Sequence, residues 1–66
     1  MTITVNGKPY QPTNAPTVAA LISELKLAPE TLLIEHNETA LHRGEWSQRT
    51  LNEGDRIEFV RVVAGG

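Results

Sequence analysis

The chain has no cysteine, which removes disulfide staples, zinc–thiolate sites, dithiol redox motifs and thiol nucleophiles together. A 66-residue domain without staples fits the reducing cytoplasm, the expected location. Basic residues are few and scattered: six lysines and arginines against eight acids, for a formal net charge of −2. The clustered basic footprint of a nucleic-acid binder is missing. Apolar runs extend only a few residues, far short of the roughly 20 that a membrane helix requires. The opening residues, MTITVNGKP, show no basic region followed by an apolar block, so no signal peptide is expected. No nucleotide-cradling G-x-x-x-x-G-K-[ST] or G-x-G-x-x-G is present. Ser23 and Ser47 have no base at a telling spacing, and a chain this short leaves little room for a cavity of hundreds of Å³. A self-contained enzyme is therefore not expected.

What is present is a clear run of elements. Ile3 and Val5 alternate with Thr2, Thr4 and Asn6, the period-two pattern of a strand with one face inward. Asn6-Gly7 predicts a type I′ hairpin turn. Pro9 places the returning strand, Lys8 to Gln11, at a sheet edge, because proline cannot donate to a ladder. After Pro12 and Pro16, Thr17 is placed to cap a helix whose Val18, Leu21, Ile22 and Leu25 form one apolar stripe. Lys26 suits the negative end of that helix dipole, and Pro29 stops the helix by Ala28. TLLIEHNE reads as a strand, Thr39–Leu41 as a very short one, and the stretch to Thr50 as irregular. A turn at 52–55 leads into a last strand, RIEFVRVV, with Ile57 and Phe59 on one face and Glu58, Val60 and Val62 on the other.

One amphipathic helix must bury its stripe, and a single mixed sheet of four or five strands can cover it. The fold class is therefore α+β, one domain over residues 1–66, with the last strand central beside the first. That order is the ubiquitin-like β-grasp arrangement.

Candidate functional residues are few. His36 and His42 lie among Glu35, Glu38 and Glu45, but at spacings that match no metal-ligand motif, so both are read as solvent-exposed and no metal is assigned. Trp46 either pins the irregular loop, its indole N–H meeting a backbone acceptor, or anchors an interface together with Arg43. Val60, Val62 and Val63 are either a partner-docking surface on the open sheet face or simply good strand formers. The sequence ends VAGG. Residues 63–66 read either as a frayed end or as a flexible tail narrow enough to thread a tunnel. In the second reading Ala64 and Gly65 present almost no width. The carboxylate of Gly66, with an ordinary pKa of about 3.5, is ionised and able to attack the α-phosphate of ATP.

Taken together, VNG near the start, TV..LI..L, IEHN, R..W, L.EGDRIEFVRVV and a terminal AGG resemble the thiamine-biosynthesis sulfur carrier (ThiS) family over nearly the whole chain. The resemblance implies a β-grasp carrier that is a protein co-substrate, binds no cofactor itself and is a monomer when free. It implies an E1-like, ThiF-like adenylating enzyme that uses ATP and magnesium to activate Gly66. A persulfide sulfur donor then leaves a thiocarboxylate there, and a ThiG-like thiazole synthase takes the sulfur. Ala64 and Gly65 would thread into partner active sites, and Val60, Val62 and Val63 would dock the partners. Two positions depart from the family pattern. Asn37 is followed by Glu38 where the family often has glycine, and a non-glycine at positive φ costs about 1–2 kcal/mol, so a different turn type is expected. His42 stands before Arg43 where proline is frequent. A carrier for molybdopterin or cysteine synthesis, and a ubiquitin-like binding module without sulfur chemistry, are the alternatives. A small metal-binding protein using the histidines is a third class; it would show stoichiometric zinc uptake on titration, and none is expected.

Overall fold

The computed structural model describes residues 1–62. Among these, the strands β1 (Ile3–Val5), β2 (Lys8–Tyr10), β3 (Leu32–His36), β4 (Thr39–Leu41) and β5 (Arg56–Arg61) form one sheet, with a single α-helix, α1 (Val18–Glu24). The strand order is β2-β1-β5-β3-β4. β5 runs parallel to β1 and antiparallel to β3. The expected β-grasp order is thus observed, with β5 central and β2 at an edge where the missing N–H of Pro9 is harmless.

Local chemistry explains most of the chain's turns. Asn6 and Gly7 have φ of 51° and 81°, the pair of left-handed residues that a type I′ hairpin requires. Asn6 also ends the β1–β5 ladder: its N–H donates to the Ile57 carbonyl at 2.8 Å and its Oδ1 accepts from Phe59 N–H at 2.8 Å. Thr17 Oγ1 accepts from Ala20 N–H at 3.2 Å and caps α1. The helix closes with Lys26 at φ 58°. Its N–H reaches the Ser23 carbonyl at 3.0 Å, and Leu27 N–H reaches that of Ile22 at 3.2 Å, a Schellman ending. Lys26 therefore serves as the left-handed residue beyond the helix and lies outside the last turn where its charge was expected.

The β3–β4 turn overturns the expected change of type. Asn37 and Glu38 sit at φ 49° and 70°, nearly the same geometry as Asn6-Gly7. Glu38 bears the steric cost itself, and its neighbour holds the turn in place. Asn37 Oδ1 accepts from Arg56 N–H at 2.8 Å, and Asn37 N–H donates to the Arg56 carbonyl at 2.8 Å.

The core lies between α1 and the inner sheet face. Val18, Leu21 and Ile22 of the helix meet Ile3, Leu32, Ile34 and Ile57, with Phe59 and Leu25 partly covered. Burying aliphatic side chains of this kind contributes about 1.5–3 kcal/mol each. The stretch read as irregular contains a 3₁₀ helix, Arg43–Gln48, that packs on α1. Trp46 is buried there and pins the segment, but its indole nitrogen is covered without the expected backbone partner. A covered ring is not an exposed interface anchor.

Glu24 ties the remaining loop to the end of α1. Its carboxylate accepts from Thr13 and Asn14 N–H at 2.9 Å each and from the Tyr10 hydroxyl. Those bonds, the tyrosine's first, hold Glu24 below the usual carboxylate range, and the same bond raises Tyr10.

Candidate docking face and tail exit

A strand alternates its side chains between faces, so the residues of β5 and β3 that avoid the core share the outer face. In the β3–β5 register Leu33 stands opposite Val60, and Glu35 opposite Glu58. Ala40 of β4 stands beside Glu35. Leu33 is 63% exposed, Val60 64% and Val62 48%, large values for apolar side chains in a sheet. Leu33 and Val60, together with Ala40, Leu41 and the two glutamates, line a shallow depression of about 290 Å³, and Val62 lies outside it. The described residues place no α-helix over this face; α1 covers the other one.

Val62 is the last described residue, and its N–H donates to the Thr31 carbonyl at 2.6 Å. That bond carries the backbone pairing beside β3 one residue past the end of β5. Val60 and Val62 sit where the sequence reading placed them, exposed on the open face. Val63, Ala64, Gly65 and Gly66 lie outside the described residues.

The opposite end of β5 is polar and closed. Here the reading of His36 as solvent-exposed is wrong: it is 6% exposed, on the inner face, with Nε2 2.7 Å from Asp55 Oδ2. Asp55 also accepts from Asn52 N–H at 2.9 Å and from the Asn37 amide at 3.1 Å. Burial pushes the Asp55 carboxyl up, but His36, Asn52 and Asn37 together outweigh it and hold it below the usual range. His42 is exposed, and its N–H is held by Glu45 Oε1 at 2.7 Å. Among the described residues no group of three His, Cys, Asp or Glu could hold a metal ion. The candidate site among the described residues is thus the exposed apolar outer face of β3 and β5.

Leu33 and Ala40 are the face residues that sequence reasoning did not single out. The alternation of Leu33 with Leu32 and Ile34 carried the signal for the first. The pairings that set Leu33 beside Val60 and Ala40 beside Glu35 depend on register and were invisible.

The ThiS family model matches residues 3–66. The chain belongs to the ThiS family. The crystal structure of a thiamine biosynthesis protein (ThiS) from Geobacter metallireducens superposes with a TM-score of 0.83 at 38% identity, covering 100% of both chains. Two curated relatives are each named thiazole synthase. The one from Magnetococcus marinus is 35% identical and the one from Paramagnetospirillum magneticum 29%, each over 66 residues. The match takes in 100% of this chain and 20% of each of theirs, so the chain spans about a fifth of their length. The β-grasp sheet with one main helix is thus shared with a solved ThiS structure. Among the described residues no helix is long and apolar enough to cross a membrane.

Proposed function

We propose that the protein is a sulfur carrier for thiazole formation in thiamine biosynthesis, with Gly66 as its chemical end. The observation that supports this most is the ThiS match running through the terminal Gly-Gly. The carboxylate oxygen of Gly66 attacks the α-phosphate of ATP, held with magnesium on an E1-like adenylating enzyme, and pyrophosphate leaves. A persulfide then attacks the acyl carbon and AMP departs with its electron pair. The resulting acyl disulfide yields the thiocarboxylate when a thiol reductant takes up the donor's sulfur. Thiazole synthase receives the sulfur. A ThiS-like segment within longer chains named thiazole synthase favours that acceptor.

This chain's own residues supply two things in the scheme. Ala64 and Gly65 give a tail without side-chain width, and ordering its backbone in a partner's tunnel costs about 1–2 kcal/mol per residue, which favours a short one. Val60, Val62 and Val63 supply apolar contact beside its root. Catalysis belongs to the partners, and the setting is the cytoplasm.

The test is intact-protein mass spectrometry after incubation with ATP, magnesium, a sulfide source and the host's adenylating enzyme. The expected result is the mass gain of one oxygen exchanged for sulfur, absent after Gly66→Trp, which leaves thermal stability unchanged. No gain with a demonstrably active enzyme would reject the carrier role. A large loss of stability in the variant would show a packed tail.

A further inference from the structure

The apolar depression on the outer face is bordered by a feature that stability alone does not favour. Glu35 and Glu58 are directly opposite in the β3–β5 register, which sets their Cβ atoms about 5 Å apart on one face. Like charges in that position repel. The nearest cation along the same face of β5, Arg56, is turned to Glu38 at 3.3 Å. Among the described residues neither Glu35 nor Glu58 forms an ion pair. A local conflict of this kind, kept on an exposed surface, marks a place where a second molecule completes the arrangement.

The rows of the sheet define what fits. Leu33 and Val60 form an apolar step, and Ala40, Glu35 and Glu58 form the row next to it. The short Ala40 side chain leaves the depression between them open. An arginine matches both rows. Its aliphatic stem covers apolar surface while its head stays polar, and a guanidinium has enough donors in a plane to engage two carboxylates.

We propose that the outer face of β3 and β5 receives an arginine of thiazole synthase, its stem across Leu33 and Val60 and its guanidinium bridging Glu35 and Glu58. The assignment of thiazole synthase as occupant rests on the carrier reading above. The same charges argue against the other occupants. A second copy of this chain would set four carboxylates against each other, and an anionic membrane surface would be repelled.

The test is binding of the full chain to purified thiazole synthase from the same organism, at low and high salt. The double variant Glu35→Gln/Glu58→Gln is compared with wild type and with Glu30→Gln, an exposed acid elsewhere. The double variant is expected to bind at least about tenfold more weakly, with a flatter salt dependence. Its thermal midpoint should equal or exceed that of wild type, and Glu30→Gln should bind normally. Unchanged affinity and salt dependence in the double variant would overturn the proposal. So would binding only to the adenylating enzyme, or self-association that strengthens when the glutamates are neutralised. The mass measurement on Gly66 separates the two readings. A thiocarboxylated double variant with normal binding removes the arginine seat alone. Weakened binding with no sulfur ever found on Gly66 removes the carrier role alone.

Discussion

The two ends of β5 are built on opposite principles. At its start, Asp55 gathers His36, Asn52 and Asn37 into a buried polar clasp. At its finish, Val60 and Val62 stand open on the outer face, and one backbone bond to Thr31 marks where the described chain stops. Only the first end uses side chains for stability. The second leaves its outer side chains uncovered, so they can be altered without unfolding the domain.

The largest effect is expected at the clasp. Asp55→Ala leaves the His36 ring, the Asn52 N–H and the Asn37 amide without their acceptor, which should destabilise the fold by about 3 kcal/mol. Chemical denaturation would measure that loss, a severe one for a domain of 66 residues. Partner binding should persist wherever the variant remains folded. An equal loss of binding, at a temperature where it is folded, would show that the two ends are not independent.

Acid should attack the same end. The folded-state pKa of Asp55 lies below the value of about 3.9 for an unfolded aspartate. The unfolded chain therefore takes up the proton first as pH falls. The stability from Asp55 is complete above about pH 4 and drains away as pH drops through the folded pKa. Glu24 has the same sign of shift. Thermal midpoints should fall steeply below about pH 4, and Asp55→Asn should flatten that slope. A slope unchanged by the substitution would shift the acid response to other carboxylates.

The smallest stability effect belongs to the open end. Val60→Ser, at a position 64% exposed, should move stability by no more than about 0.5 kcal/mol while weakening partner binding. A large destabilisation would mean that the outer face is internally packed, and the contrast between the ends would fail.

Much of the fold was legible because its signals are local. Asn6-Gly7, the stripe Val18–Leu21–Ile22, and Pro9 at an edge each state a rule that the neighbouring residues obey. The inward His36 was legible too: it follows Leu32 and Ile34 at steps of two, so strand alternation alone buries it. Its histidine character, read as a sign of exposure, outweighed the pattern. What makes that burial tolerable is Asp55, nineteen residues further on, and no period reveals such a partner. The 3₁₀ helix Arg43–Gln48 escaped for another reason. It is too short to show an apolar stripe, and one tryptophan holds it. The open face was half visible, since β5 announces Val60 but only the β3–β5 register supplies Leu33 and Glu35, and only the β3–β4 register supplies Ala40.

The central place of β5 has a consequence for how the molecule is made. Strands β1 and β3 do not touch each other in the sheet; each pairs with β5, which follows both in the chain and so leaves the ribosome after them. Until it arrives, two separate hairpins flank an empty slot, with long loops yet to close before native pairing can begin. A chain broken off before Arg56 cannot form this sheet and exposes unpaired strand edges, the hallmark of species cleared or aggregated in cells. Any molecule that shows a finished outer face has therefore been translated at least through β5. A partner that recognised this face would inspect, in the same contact, whether synthesis has passed the end of β5.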